Sequence, residues 1–391
     1  MGFQAVDYYA VEELLSEEQR FVRGAVREWV ERRLLPIISD CWQQGRFPRE
    51  LVPELGELGL LGATLPTSYG CAGIDPIAYG LACQELERCD SGIRSFVSVQ
   101  GALAMYPIFA FGSEEQRRKW LPPMARGEVI GCYGLTEADG GSNPAAMRTR
   151  AVRRGDGFVL NGSKMWITNG SIAELAVVWA KLEQDGRDVI RGFLVEAGTP
   201  GFSAPEIKRK LSLRASVTSE LVLDEVQLPE SSLLPGVSGL RGPFSCLTQA
   251  RYGIAWGALG AAMACYDEAR EFASSRQSFG GPIAGKQLVQ HKLVWMVAEL
   301  TKCQLLCWRL GRLKAEDRAT HQQVSLAKRE CVAMALGVAR LGRDILGAGG
   351  ITADYQCMRH ACNLESVYTY EGTNDIHTLV VGEELTGVRA Y

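Results

Sequence analysis

The spacing of apolar residues changes character twice along the chain, and that order limits what it can fold into. Up to about residue 128 the pattern is helical. Ser16-Glu17-Glu18-Gln19 reads as a capping box, followed by Val22, Val26, Trp29 and Val30 on one face. Ser113-Glu114-Glu115-Gln116 is a second such box, and Pro122-Pro123 is expected to stop its helix. Pro36 and the stretch 45–48 punctuate. A short helix is expected over 51–61, closed by Gly62, and another over 77–88, broken at Asp90-Ser91-Gly92. From Val129 to about Pro235 come short runs of β character. Val152 and Phe158-Val159-Leu160 flank Gly155-Asp156-Gly157, a hairpin signal, and strands are expected within 175–179, 192–195 and 221–228. After Pro235-Gly236 long helical segments follow over 240–274, 287–317 and 320–346, spaced as in an antiparallel bundle. The chain therefore reads as α+β: an N-terminal helical domain (1–128), a central β domain of the barrel or sandwich kind (129–238) and a C-terminal helical bundle (239–391).

Composition supports this and removes alternatives. A chain of 391 residues, 47% apolar, can bury a large core and is not disordered. Net charge is −3, which gives no basic footprint for nucleic acid or an anionic membrane. The uncharged run 95–113 approaches spanning length. Ser98, Gln100, Gly101 and Pro107 interrupt it, so a core helix broken near Pro107 is expected rather than a membrane span. The acidic start, 1–18, has neither a signal nor a transit pattern, which suggests a bacterial cytoplasmic or mature mitochondrial matrix protein. The 12 cysteines are scattered without a Cys-x-x-Cys pair; buried reduced thiols are expected and no metal site. No Gly-x-Gly-x-x-Gly follows a strand, so a Rossmann site is not expected.

The stretch with most chemistry is Tyr370-Glu371-Gly372-Thr373-Asn374-Asp375-Ile376-His377. Gly372 allows a tight turn, Thr373 is a candidate N-cap, and Asp375 falls in the first helical turn. A carboxylate held among Tyr370, Val367 and Leu364 loses hydration, which moves its pKa toward the range of a general base. On residue types alone, a capped surface turn with an exposed glutamate explains the stretch equally well.

The same residues resemble the catalytic-base segment of the acyl-CoA dehydrogenases, and Asp-Ile-His is most similar to the glutaryl-CoA dehydrogenase branch. The resemblance extends along the chain. It implies FAD between the β domain and the C-terminal helices. Tyr133, Leu135, Thr136, Gly141 and Ser142 match the first flavin segment, with Ala138 and Asn143 departing from its usual proline and aspartate. Trp166, Ile167 and Thr168 match the second, where Trp166 packs on the ring and Thr168 donates toward flavin N5. Arg276, Phe279 and Gln287 match a segment that reaches the FAD of a neighbouring subunit. Asp344, Gly347 and Ala348 occupy an altered Gly-rich turn, and Thr373, Asp375 and Tyr391 complete the cofactor set. Ser142, Phe244, Leu247, Arg251 and Gly372 fall along the acyl-CoA path, with Arg251 at the adenosine-phosphate end.

For the acyl group, Glu87, Arg94 and Ser95 are informative. A buried arginine in an apolar pocket is costly without an anion to meet it. In the branch that this sequence resembles, the matching arginine holds the distal carboxylate of glutaryl-CoA, and a tyrosine at the place of Tyr370 accompanies decarboxylation. Ile93 replaces a common tyrosine. From charge alone, Arg94 can equally form a surface ion network with Glu87 or Asp90.

The resemblance thus implies a decarboxylating glutaryl-CoA dehydrogenase, with Glu371 taking the α-proton. Its backbone N–H and a flavin ribityl hydroxyl would hold the thioester oxygen, and crotonyl-CoA would be the product. Electron-transfer flavoprotein as acceptor, a homotetramer, and a place in lysine and tryptophan degradation follow from the same resemblance. A short-chain acyl-CoA dehydrogenase without decarboxylation, or a flavin-free acyl-CoA-binding protein on this fold, are the alternatives.

Overall fold

The computed structural model describes residue 3 and residues 6–390; Tyr391 lies outside the described residues. The helical first part contains α1 (Glu17–Trp29), α2 (Leu35–Gln44), α3 (Val52–Glu57), α4 (Pro76–Cys89), α5 (Ser91–Ser98), α6 (Tyr106–Phe111) and α7 (Glu114–Ala125). The capping boxes at Ser16 and Ser113 are both formed.

The prolines behave differently from expectation. Pro36 and Pro107 do not break their helices. Each follows a wide π turn, Val30–Leu34 and Val99–Met105. There the Leu35 N–H reaches back to Val30 O and the Tyr106 N–H to Gly101 O, five residues away. The wider pairing accommodates the ring and the missing N–H. Nor do Pro122 and Pro123 stop α7, which runs to Ala125 with Trp120, Leu121, Met124 and Ala125 buried.

The central strands are β1 (Gly131–Gly134), β2 (Arg150–Arg154), β3 (Gly157–Thr168), β4 (Leu175–Gln184), β5 (Arg187–Glu196), β6 (Phe202–Ser203) and β7 (Thr218–Pro229). They form one seven-stranded sheet, ordered β1-β4-β2-β3-β7-β6 with β5 on β4. β2 and β3 form the expected hairpin, Arg154 facing Gly157 across Gly155-Asp156. β1 and the start of β2 run parallel to β4; the other pairs are antiparallel. Leu233, just after β7, bridges back to Phe193 of β5, which brings the sheet toward barrel-like closure.

The last part holds α8 (Arg241–Ser275), the small hairpin β8 (Gln277–Ser278) and β9 (Gly281–Pro282), α9 (Gln287–Ala315), α10 (His321–Ile345), α11 (Cys357–Thr369) and α12 (Asn374–Thr386). Its core joins α8, α9, α10 and α11 to α4, through Trp256, Leu259, Met296, Leu300, Val324, Val338 and Leu364. No helix among the described residues is long and apolar enough to cross a membrane. All 12 cysteines are free thiols, and all but the half-buried Cys362 are buried. Helical ends therefore enclose a central sheet, and the functional side chains gather where α4, α5, α8, α10 and the turn before α12 meet.

Candidate active site

The turn between α11 and α12 is strained in a useful way. Glu371 has φ of +52° and Gly372 φ of +94°. A glutamate in the left-handed region costs on the order of 1 kcal/mol and needs outside support. Three side chains supply it. Arg251 Nε on α8 donates to the Glu371 carbonyl at 2.7 Å. Lys328 Nζ on α10 donates to the Tyr370 carbonyl at 3.1 Å and the Gly372 carbonyl at 2.8 Å. Thr373 caps α12 by accepting from the Ile376 N–H at 3.2 Å. The Glu371 side chain is thereby turned inward, and its Oε2 is buried without a hydrogen-bond partner. Burial raises its pKa above the usual carboxylate value, and Arg94, Arg251 and Lys328 draw it back only in part.

A second set of charges meets this turn from α4 and α5. Asp90 caps α5, accepting from the Gly92 N–H at 2.7 Å and from Asn363 Nδ2 at 2.8 Å. That fixes Arg94, whose Nε pairs with Glu87 Oε2 and whose Nη2 donates to the Tyr370 hydroxyl. Ser91 Oγ donates to the other Glu87 oxygen at 2.8 Å, and Ser95 Oγ lies 3.2 Å from the Tyr370 hydroxyl. Glu87 and Arg94 are fully buried. The pair fits because α8 carries Gly257 there; a Cβ would stand 2.1 Å from Glu87 Oε2. Burial opposes the Arg94 charge, but Glu87 and Tyr370 outweigh it, so its pKa is raised; burial pushes Tyr370 up to about 12. Arg94 Nη1 has no partner and is buried. Glu87, Arg94, Ser95, Tyr370, Glu371, Gly372 and Arg251 thus come together. Phe244, exposed, and Leu247, half-buried, lie further back along α8 from Arg251.

The flavin-segment residues occupy a more open face. Tyr133 and Leu135 are buried, and the Tyr133 hydroxyl donates to Pro243 O at 3.1 Å, joining the sheet to α8. Beyond Thr136 the loop is anchored by Glu137, which accepts from the N–H groups of Arg148 and Thr149 and from Lys164 Nζ at 2.7 Å. Burial lowers Lys164 to about 8, against the pull of Glu137. Gly141 and Ser142 are exposed on that loop. On β3, Lys164 faces Leu221 and Ile167 faces Ser219, so Met165 and Trp166 form a bulge. Trp166 has φ of +64° and is 61% exposed, while Ile167 is buried and Thr168 half-buried. An indole turned outward beside a hydroxyl suits the face of an aromatic cofactor, so these residues fit the flavin ring.

Arg276, Phe279 and Gln287 form a separate exposed group, with Phe279 95% exposed at the tip of the β8–β9 hairpin. Asp344 joins this end of the bundle through an ion pair with Lys292 of α9, and Gly347 and Ala348 follow it, exposed. Asp375 is exposed in the first turn of α12.

Sequence reasoning passed over Lys328 and used His377 only as part of the Asp-Ile-His resemblance, without a role. Lys328 lies on the buried stripe Val324, Ala327, Cys331, Val332 and Ala335 of α10; a lysine on such a stripe was the available signal. His377 is buried, with neither ring nitrogen hydrogen-bonded. Burial, with Lys328 and Arg251, lowers it to about 3.

The chain matches the acyl-CoA dehydrogenase N-terminal domain over residues 16–128, the middle domain over 132–226 and the C-terminal domain over 238–386. It belongs to the acyl-CoA dehydrogenase family, and it is an FAD-dependent enzyme of that family. It is 34% identical to the short-chain specific acyl-CoA dehydrogenase of Mus musculus mitochondria, over 98% of this chain and 93% of that one. Among solved structures it is similar to a glutaryl-CoA dehydrogenase from Mycobacterium smegmatis, with 55% identity, a TM-score of 0.97 and full coverage of both chains. A glutaryl-CoA dehydrogenase from the same organism in complex with FADH2 matches at 50% identity and a TM-score of 0.97, again over both whole chains.

Proposed function

We propose that this enzyme oxidises glutaryl-CoA between its α and β carbons and releases carbon dioxide, giving crotonyl-CoA. The observation that carries this is the buried, unpartnered Nη1 of Arg94 beside the glutamate on the strained turn. A guanidinium already tied to Glu87 and Tyr370, with one nitrogen left without a partner, is suited to receive a second carboxylate. Charge balance points the same way. Arg94, Arg251 and Lys328 face Glu87 and Glu371, leaving one positive charge uncompensated when all are ionised. The distal carboxylate of a glutaryl group would neutralise it. The likeness to glutaryl-CoA dehydrogenases at 55% and 50% identity supports the reading.

In this reading Glu371 removes the α-proton, and its raised proton affinity suits that role. Its backbone N–H holds the thioester oxygen, stabilising enolate charge as it develops. Bound FAD supplies the hydride acceptor, held by Tyr133, Leu135, Thr136, Gly141, Ser142, Trp166, Ile167 and Thr168. Arg276, Phe279, Gln287, Asp344, Gly347, Ala348, Thr373 and Asp375 complete the cofactor site. The exposure of Phe279 accords with a reach into a neighbouring subunit of a homotetramer. Phe244 and Leu247 guide the CoA arm; Arg251, expected at its adenosine-phosphate end, instead holds the Glu371 carbonyl at 2.7 Å, because it lies on the face of α8 packed against that turn. Glu371, protonated by the first step, returns a proton to the decarboxylated chain. Electron-transfer flavoprotein takes the electrons.

The test is anaerobic mixing with glutaryl-CoA, following flavin absorption and then product mass. Bleaching with crotonyl-CoA supports the proposal. Bleaching with glutaconyl-CoA keeps the dehydrogenation and removes the decarboxylation. The 34% identity to a short-chain enzyme supports a second reading, butyryl-CoA oxidation without decarboxylation. Bleaching by butyryl-CoA and not by glutaryl-CoA would establish it.

A further inference from the structure

We propose that Lys328 is the positioning residue of the base: its ammonium fastens the two carbonyls that bracket Glu371 and so holds the left-handed turn that aims the carboxylate. This rests on the reading of Glu371 as the base. The geometry is specific. Nζ donates to the carbonyl before Glu371 at 3.1 Å and to the carbonyl after it at 2.8 Å. Arg251 takes the carbonyl of Glu371 itself at 2.7 Å. Successive carbonyls at 370, 371 and 372 are thus held by side chains from α10 and α8, in addition to the Thr373 cap and the freedom of Gly372 within the turn itself. Lys328 is fully buried, with no carboxylate among its hydrogen-bond partners. A lysine serving only as an ion-pair partner would instead grip an oxygen of Asp or Glu.

The charged surroundings fit a second effect. Lys328 faces Glu371 from the turn, Arg251 from α8, Arg94 from α5 and His377 from α12, with Tyr370 beside them. Burial lowers Lys328 to about 7, and Glu371 resists that fall while the two arginines add to it. In return, the Lys328 charge lowers the Glu371 pKa against its burial. Removing that charge should move the ionisation of Glu371 to higher pH, and a base works only when ionised.

The experiment measures flavin reduction in Lys328→Met and Lys328→Gln holoenzymes across pH 5–9, with Glu371→Gln in parallel. The probe is whichever of glutaryl-CoA and butyryl-CoA reduces the parent flavin. Lys328→Met is expected to reduce flavin at least tenfold more slowly at saturating substrate, with KM within about threefold, and to shift the ascending pH limb upward. Lys328→Gln, which keeps an N–H donor without the charge, should regain much of the rate at high pH while the limb stays shifted. It also carries the test should the methionine variant fail to fold. A parental rate with an unmoved limb would overturn the assignment, as would a loss confined to melting temperature or flavin content. A Glu371→Gln enzyme without flavin reduction leaves the base reading standing in either case. One that still reduces flavin removes that reading and the role of Lys328 with it.

Discussion

Two carboxylates two residues apart on α4, Glu85 and Glu87, are both fully buried, yet they anchor very different networks. Glu85 accepts from Arg27 at 3.1 and 2.7 Å and from Arg88 at 2.9 Å. Arg88 also reaches Glu31 at 3.3 Å, and Phe3 lies over both guanidinium groups. Neither Arg27 nor Arg88 has an unpartnered buried nitrogen. The network around Glu87 has the same ingredients but is left one partner short, at Arg94 Nη1. A closed set of hydrogen bonds locks α1 against α4. An incomplete one, beside a strained glutamate, is where the proposed reading seats a second carboxylate. Buried arginine alone does not separate structure from function, nor does a spare nitrogen, since Arg117, Arg191 and Arg359 each have an Nε without a hydrogen-bond partner; what sets Arg94 apart is its place beside the Glu371 turn.

Substitutions on the two sides should therefore separate stability from chemistry. The largest effect is expected for Arg94→Gln, which should lower kcat/KM for glutaryl-CoA about a thousandfold more than for butyryl-CoA. Steady-state comparison of the two substrates checks it; equal losses would reduce Arg94 to scaffolding. Because this change strands Glu87, the melting temperature should also fall, and adding Glu87→Gln should restore part of it without restoring glutaryl-CoA turnover. On the closed side, Glu85→Gln should cost on the order of 3 kcal/mol in urea unfolding, since it leaves Arg27 and Arg88 without their shared anion. Turnover per folded, flavin-loaded molecule should not change, and an altered substrate preference would erase the distinction. Gly257→Ala is expected to be milder, about 1–3 kcal/mol, with its Cβ crowding Glu87 and Arg94. Its signature would be a rise in KM for glutaryl-CoA.

Acid is the gentlest lever. His360 sits beside Arg88 and Arg359, and burial, aided by Arg359, lowers its pKa to about 3. The unfolded chain binds that proton near the ordinary value of about 6.5. Stability is therefore complete above that value and is lost as pH falls from there toward 3, by up to about 1.4 kcal/mol per pH unit. His360→Leu should flatten that slope in denaturant titrations between pH 6.5 and 4. An unchanged slope would mean that the ring is protonated in the fold.

Much of the fold could be read directly. The capping boxes at Ser16 and Ser113, the Gly155-Asp156 hairpin and the Thr373 cap depend on neighbours within four residues, and each formed where expected. Pro36 and Pro107 misled because the rule against them assumes standard helical pairing, which the π turns at Val30–Leu34 and Val99–Met105 do not keep; Pro122 and Pro123 sit in the last turn of α7, where the helix ends at Ala125, two residues beyond Pro123. Within the site, Arg94 and Tyr370 were legible through resemblance, although 276 positions separate them. Lys328 stood out only as a lysine on the apolar stripe of α10, and its role was not legible because its partners are backbone carbonyls.

Those π turns have a consequence for how the chain could have grown. Counted as residues rather than contacts, each wide turn is a surplus position swallowed by a helix. An inserted residue would rotate all that follows in a regular helix by about 100°. Here the wide pairing is confined to Val30–Leu34 and Val99–Met105, and α-helix resumes directly at Leu35 and Tyr106. The N-terminal helices can thus tolerate a change in length at those two points without rewriting the faces on either side.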